Sequence, residues 1–308
     1  MRCHLILNPR SKGGKASGKF DAIFNLLRKA GIEFQCTYAE TFSTIRDASA
    51  KANGGDDEAV VAVGGDGTIN AVMNGFYDEN GSLRSDKKMG VIYTGTSPDF
   101  CKSYGIPLDL AGAVDTVRQG NVRHIITGRI RLGVSKDGQR ENRYFSCCAS
   151  IGIGAMVAGQ ANRYRRYLGD TGGTLVAILT SLARFHPQHV TLTTDGREMI
   201  FPRATNIFIG RTKYIASGLK VRNEMTDDDE RFYVLCVKDL SVMRLPGLLR
   251  QFYTGNTVPS PVLEVIYASR IQIDTGMNST AVEFDGDPVG YTPCSIRAAT
   301  ENIPLLVS

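Results

Sequence analysis

The stretch Val60-Val61-Ala62-Val63-Gly64-Gly65-Asp66-Gly67-Thr68-Ile69-Asn70 decides how the chain must be read. Its β-branched run predicts a strand buried on both faces, as in a parallel sheet, and it stops at glycines interrupted by one aspartate. Ile69, Val72, Met73 and Phe76 then recur at helical spacing. The glycines therefore sit where a strand's carboxyl end becomes a helix's amino end, the position at which open α/β sheets bind ligands. Glycine admits a close backbone approach, and the free N–H groups of a first helical turn favour phosphate. Asp66 repels a polyphosphate unless a cation or a hydroxyl proton faces it, so the pairing points to phosphoryl transfer rather than phosphate storage. A tight turn with a solvated Asp66 is the plain alternative.

Toward the amino terminus, residues 3–8 predict a first strand ending at Asn8-Pro9. The basic, glycine-rich loop Arg10-Ser11-Lys12-Gly13-Gly14-Lys15 follows, and then a helix on Phe20, Ile23, Phe24 and Leu27. Gly13, Gly18 and Lys19 fit P-loop spacing, but Phe20 stands where that motif needs a Mg²⁺-binding Ser or Thr, so the P-loop reading is rejected. What stays open is a cationic loop lying against phosphates or an exposed basic turn. Residues 32–38 and 45–52 give the next strand and helix, with Thr41, Ser43 and Thr44 as candidate caps, one of which could also touch a nucleotide. On the carboxyl side, residues 89–93 predict a fourth strand closing on Thr94-Gly95-Thr96-Ser97-Pro98-Asp99-Phe100. A helix on Leu110, Ala113, Val114 and Val117 ends at Gly120. Four such units predict a parallel, doubly wound α/β domain with its ligand cleft along the strand carboxyl ends.

Beyond residue 122 the texture changes to short, alternating, turn-punctuated segments: 123–134, 144–151, 189–194, 206–209, 232–237, 269–274 and 281–284. They read as antiparallel strands of a second, β-rich domain over 123–294, with 295–308 returning to the first domain over 1–122. Helices interrupt near 174–185 and 240–253. Leu175, Ile178, Leu179, Leu182 and Phe185 of the first read either as core or as the lining of an acyl-chain cavity. The run Thr226-Asp227-Asp228-Asp229-Glu230-Arg231 is a solvated turn or, with backbone carbonyls, a hard-cation site. At Glu283-Phe284-Asp285-Gly286-Asp287-Pro288 two strands meet in a hairpin, which by itself does not need Asp287. Arg163, Arg165 and Arg166 interleave with Tyr164 and Tyr167, a solvated helix face or a surface for an anionic membrane.

Composition sets limits. At 308 residues and 42% hydrophobic content the chain can bury two cores. A net charge of +5 argues against a dedicated nucleic-acid binder and leaves an anionic substrate or membrane surface open. Seven cysteines without a C-x-x-C suit reduced core thiols, and His186 and His189 read as surface residues rather than zinc ligands. Without a cationic-then-apolar leader or an apolar run of bilayer length, the expectation is a soluble, cytoplasmic protein.

These residues together resemble the diacylglycerol kinase catalytic-domain family, which includes soluble bacterial lipid kinases and the sphingosine and ceramide kinases. Asn8-Pro9 with its loop is similar to the family's Asn-Pro-x-Ser-Gly start, and residues 64–70 to its Gly-Gly-Asp-Gly-Thr-x-Asn signature. Residues 89–100 with Tyr104-Gly105-Ile106-Pro107 are similar to its strand, Gly-Thr turn, Asp-Phe and Gly-Ile-Pro sequence. Asp285-Gly286-Asp287 resembles its Asp-Gly-Glu. The resemblance implies an amino-terminal domain like those of NAD kinase and phosphofructokinase, followed by a β-sandwich-like domain. It implies ATP in the first domain's cleft, Mg²⁺, and a lipid hydroxyl entering between the domains from a membrane surface, with no nucleic-acid partner; a homodimer is compatible with it. Carried over position by position, Asn8, Pro9, Arg10, Ser11, Lys12, Thr41, Gly64, Gly65, Asp66, Gly67, Thr68, Ile69, Asn70, Ala71 and Thr96 match nucleotide-contacting positions. Asp66 matches the acid near phosphates and metal, Asp287 the proton-accepting Glu, and Asp285 a partner that orients the hairpin or the metal. The family's structural Mg²⁺ loop falls on residues 226–231, with Asp229 as side-chain ligand and Thr226 and Arg231 offering carbonyls.

Departures bear on activity. Ala71 replaces an acid, Ser97-Pro98 replaces Gly-Asn, and Glu230 stands where the metal loop usually has glycine. Asp287 is one methylene shorter than Glu, and a displacement of about 1 Å can cost about a hundredfold in rate. The expectation is an ATP- and Mg²⁺-dependent lipid kinase. Its rivals are an NAD kinase-like enzyme and a nucleotide- or lipid-binding relative with weakened catalysis.

Overall fold

Four strand–helix units open the chain in the computed structural model, which describes residues 1–135, 142–277, 279–284 and 287–308. They are β1 (Arg2–Leu7), α1 (Phe20–Lys29), β2 (Glu33–Tyr38), α2 (Phe42–Asn53), β3 (Ala59–Gly64), α3 (Asp66–Phe76) and β4 (Lys88–Tyr93), the last followed by α4 (Asp99–Tyr104) and α5 (Leu110–Gln119). The short α4 occupies a segment the sequence marks only as a turn. The strands lie parallel in the order β2-β1-β3-β4, then the carboxyl-terminal strand Ile303–Leu306, parallel to β4, and β5 (Val122–Ile125), antiparallel to it. Residues 123–134, which read as one strand, are thus divided between β5 and β6 (Gly128–Ser135).

Contacts divide the chain into one unit of Met1–Thr127 with Ala299–Ser308 and another of Gly128–Ala298. In the first, Cys3, Leu5 and Leu7 share a core with Val61, Val63, Ile92, α1 and α5. The alternate residues Ile6, Val60 and Ala62 are equally buried, so both sheet faces are covered, as continuous apolar strands require. On α2 and α3, Gly75 permits close contact: a Cβ there would lie 2.5 Å from Arg46 O.

The second unit continues with β7 (Asn142–Phe145), β8 (Cys148–Gly152), α6 (Ile153–Arg184), β9 (Gln188–Thr194) and the long β10 (Arg197–Gly210). Two short strands follow, β11 (Tyr214–Ile215) and β12 (Leu219–Lys220), then β13 (Phe232–Lys238), α7 (Leu245–Thr254), β14 (Leu263–Ala268), β15 (Ile271–Asp274), β16 (Ala281–Phe284) and β17 (Asp287–Ala298). The sheet order is β14-β13-β10-β8-β16-β17-β15-β9. The first half of β10 pairs with β9 and its second half with β8 and β13, so the sheet folds back on itself around Ile130, Phe145, Ile207, Phe232 and Phe284.

α6 is a helical hairpin. Gly169, with φ 69° and ψ 177°, breaks it, and Thr180 Oγ1 donates to Gln160 Oε1 at 2.8 Å. Twenty residues of straight helix would span about 30 Å, so the two halves must double back.

Candidate active site

Register brings the carboxyl ends of β2, β1, β3 and β4 side by side: Leu7 pairs with Tyr38 and Val63, and Gly64 with Tyr93. Thr41, Asn8, residues 64–68 and residues 94–99 leave from these ends and share one rim. Asn8 ties it together. Its backbone N–H donates to Val63 O at 3.1 Å, its side-chain amide donates to Thr68 Oγ1 at 3.0 Å, and its Oδ1 accepts the Arg10 N–H at 3.0 Å. Ser11 Oγ lies 3.6 Å from where a Cβ on Gly65 would sit. Lys12, at φ 54°, adopts a left-handed conformation uncommon outside glycine, and the exposed Arg10 and Lys12 give this loop its charge.

The β3–α3 turn allows no added side chain. A Cβ on Gly64 would overlap Thr68, and one on Gly95 would lie 2.5 Å from the Gly65 Cα. The first intrahelical bond of α3 runs from Ile69 N–H to Gly65 O, so the N–H groups of Asp66, Gly67 and Thr68 have no acceptor inside the helix. Ile69, Asn70 and Ala71 are buried, with Asn70 bonded to the Asn74 amide. The openings in this run are therefore the partly exposed Gly65, Asp66 and Gly67. Thr41 is exposed and engaged in a reciprocal capping box with Thr44.

Asp66 Oδ2 accepts the Asp99 N–H at 3.3 Å, while Oδ1 is buried and without a hydrogen-bond partner. Burial first, and the Asp99 carboxylate second, push Asp66 up to about 7, against the lowering influence of the Asp99 and Phe100 N–H groups. The side-chain oxygens of Tyr93, Thr94 and Ser97 are likewise buried and unpartnered. Burial, reinforced by the Asp66 charge, also holds the Tyr93 and Cys101 protons more tightly. Buried polar atoms are ordinarily paired, so this cluster at a strand–helix turn marks where ligand atoms would complete the set. From the β4–α4 turn the sequence nominates Thr96, which is exposed. Tyr93, Thr94, Ser97 and Asp99 escape that nomination, although their place one strand over, at the same sheet edge, is the signal that finds them. Among the described residues no three His, Cys, Asp or Glu side chains form a metal cluster. An acid with a free buried oxygen beside a second acid nevertheless fits Mg²⁺, which takes one or two carboxylates and draws its remaining oxygens from water and phosphate.

In the second unit, Phe284 pairs with Asp287 at the start of β17. Asp285 and Gly286 lie outside the described residues, as do the side chains of Asp287, Arg165 and Arg166. In the 226–231 loop every nominated donor is engaged within the chain. Arg231 holds the Asp229 carboxylate through Nε at 3.0 Å and Nη2 at 2.8 Å, keeping it below the usual carboxylate range. The carbonyls of Thr226 and Arg231 both accept from the Arg211 guanidinium. The exposed residues near the α6 break include Arg163, Tyr167 and Leu168.

Residues 2–130 match the family described as diacylglycerol kinase catalytic domain, and residues 147–307 match the YegS C-terminal NAD kinase beta sandwich-like domain. A diacylglycerol kinase of Staphylococcus epidermidis is 25% identical over 99% of this chain and 91% of its own length. One of Staphylococcus aureus is 26% identical over 96% and 88%. The crystal structure of a diacylglycerol kinase from Bacillus anthracis superposes with a TM-score of 0.72 at 17% identity, covering 100% of this chain and 97% of that one. Yeast NADH kinase, solved with NADH, gives 0.51 at 10% identity, covering 100% and 84%; these two likenesses speak to fold alone.

Proposed function

The chain belongs to the family that joins a diacylglycerol kinase catalytic domain to a YegS-type C-terminal domain; it is a lipid kinase phosphorylating an alcohol, and we propose that it uses ATP with Mg²⁺ on the hydroxyl of a diacylglycerol-like lipid. The observation that carries the ATP and Mg²⁺ assignment is the unpaired, buried oxygen of Asp66 beside three unspent helix N–H groups. In this reading the N–H groups of Asp66, Gly67 and Thr68 and the loop from Asn8 to Lys12 hold phosphates. Thr41 and Thr96 border the nucleotide, while Ile69, Asn70 and Ala71 act from inside the helix by fixing the turn. Asp66, with Asp99 beside it, would hold Mg²⁺, which when bound neutralises charge on the transferred phosphoryl group. Asp287 accepts the proton of the lipid hydroxyl, with Asp285 orienting the hairpin.

The α6 hairpin supports a lipid acceptor. Gly173, Ala177 and Ser181 are buried in its second half, while Leu175 is exposed and Ile178, Leu179 and Leu182 are only partly covered. Such an incompletely covered stripe suits an acyl chain. We assign peripheral contact with the lipid surface to Arg163, Tyr167 and Leu168; among the described residues no helix is long and apolar enough to cross a membrane. The test is incubation with ATP, Mg²⁺ and a panel of diacylglycerol, phosphatidylglycerol and sphingoid lipids, with mass detection of products. A phosphorylated diacylglycerol is the expected product. Absence of any phosphorylated lipid from folded, Mg²⁺-saturated protein overturns the assignment.

A further inference from the structure

The loop that the family resemblance equates with a structural metal site has its own cation. Arg211 lies immediately beyond β10, whose end pairs Gly210 with Tyr233 and with Cys148. Its backbone is anchored from both sides: its N–H donates to Cys147 O at 3.3 Å, and its carbonyl accepts from the Asn223 amide. The guanidinium then reaches the Thr226 and Arg231 carbonyls together, with its carbon 5.7 Å from the Phe232 ring centroid. Those two carbonyls, with the Asp229 carboxylate, are the donors a divalent ion would need. Asp229 is already forked by Arg231 and also accepts the Arg231 N–H at 2.9 Å. Glu230 occupies the position of the usual glycine. A second cation in this place would face two guanidinium groups and would have to displace their hydrogen bonds.

We propose that Arg211 takes the place of the structural divalent cation, so that the 226–231 loop folds without metal. A planar, permanently charged guanidinium can bridge two carbonyls that a metal would otherwise draw together. The position is consequential. Sheet register places Phe284, Ala149, Ile209 and Val234 in one row, so Arg211, the 226–231 loop and the start of β17 at Asp287 lie at the same end of this sheet. The brace therefore stabilises the end of the unit that carries the hairpin. If the chain is a Mg·ATP kinase, its divalent-ion requirement then reduces to that of the nucleotide.

Thermal unfolding of the nucleotide-free full chain tests this without reference to activity. The wild-type midpoint should be the same in EDTA and in millimolar Mg²⁺ or Ca²⁺, whereas a structural site filled to about 100 times its dissociation constant would raise it by several degrees. Arg211→Ala should melt several degrees lower in EDTA. Arg211→Lys should recover only part of the loss, because an ammonium has no planar fork. A divalent-dependent rise in wild type that persists in Asp66→Asn and vanishes in Asp229→Asn overturns the proposal, as does an Arg211→Ala midpoint equal to wild type. A rise that vanishes in Asp66→Asn belongs to the nucleotide turn and leaves Arg211 as the loop's cation. Should Arg211→Ala fail to fold, the wild-type comparison in EDTA and divalent ion decides alone.

Discussion

Asp66 holds its proton until about pH 7 in the folded chain, against an ordinary value of 3.8. Between those values the native state binds a proton that the unfolded chain has released, so this contribution to stability is full below the unfolded pKa and is lost as pH rises to 7. Asp66→Asn removes the titration. Without nucleotide it should be more stable than wild type at about pH 8, by on the order of 1 kcal/mol once solvent screening is allowed for, with the advantage shrinking as pH falls toward 4. Its rate of phosphoryl transfer should fall by about 10²–10³-fold. Unfolding of both proteins across the pH range checks the first expectation; parallel curves would contradict it. At the other end of the sheet the sign reverses. Burial raises Asp57, but hydrogen bonds from Gln35 and Arg2 outweigh it and hold Asp57 below the usual carboxylate range. Its stabilisation is present above the unfolded pKa and disappears as pH falls through the folded one. Asp57→Asn should therefore destabilise the chain at neutral pH and flatten its acid-unfolding limb, measured in the same series.

At the scale of elements, the β3–α3 turn works only if Thr68 keeps its place between Gly64 and Asn8. Gly64→Ala forces the two apart and should cost about 1–3 kcal/mol, raising the KM for ATP along with the loss. Thr41→Ala removes the α2 cap and should cost about 1 kcal/mol, whereas Thr41→Ser should retain it; urea unfolding separates the pair. The four strand–helix units are legible because buried parallel strands leave continuous apolar runs and the glycines between Val63 and Thr68 mark a strand–helix junction. Other features are silent in the sequence. The α6 hairpin hides because both halves have helical periodicity and Gly169 is one of many glycines. β5 and β6 read as a single strand because alternation does not show which sheet receives each half. Arg211 is invisible as a brace because its partners lie 15 and 20 residues away and are backbone carbonyls, whose identity no residue type encodes. The orphaned oxygens of Tyr93, Thr94 and Ser97 depend on packing against the neighbouring strand's turn, which only the register supplies.

For the whole molecule, the proposed reaction requires Asp66 of the first unit and Asp287 of the second. Asp287→Ala should lower turnover by about 10²–10⁴-fold with little change in ATP affinity, as expected for loss of a general base. Asp287→Glu should retain activity, since it restores the longer acid of the family pattern. Transfer of labelled γ-phosphate from ATP to diacylglycerol, measured side by side for wild type, Asp66→Asn and Asp287→Asn, each shown to be folded, decides whether the proposed reaction occurs. Wild type should yield a labelled lipid, and both variants should lose at least about a hundredfold in rate. Undiminished transfer by the two variants would refute the roles proposed for Asp66 and Asp287.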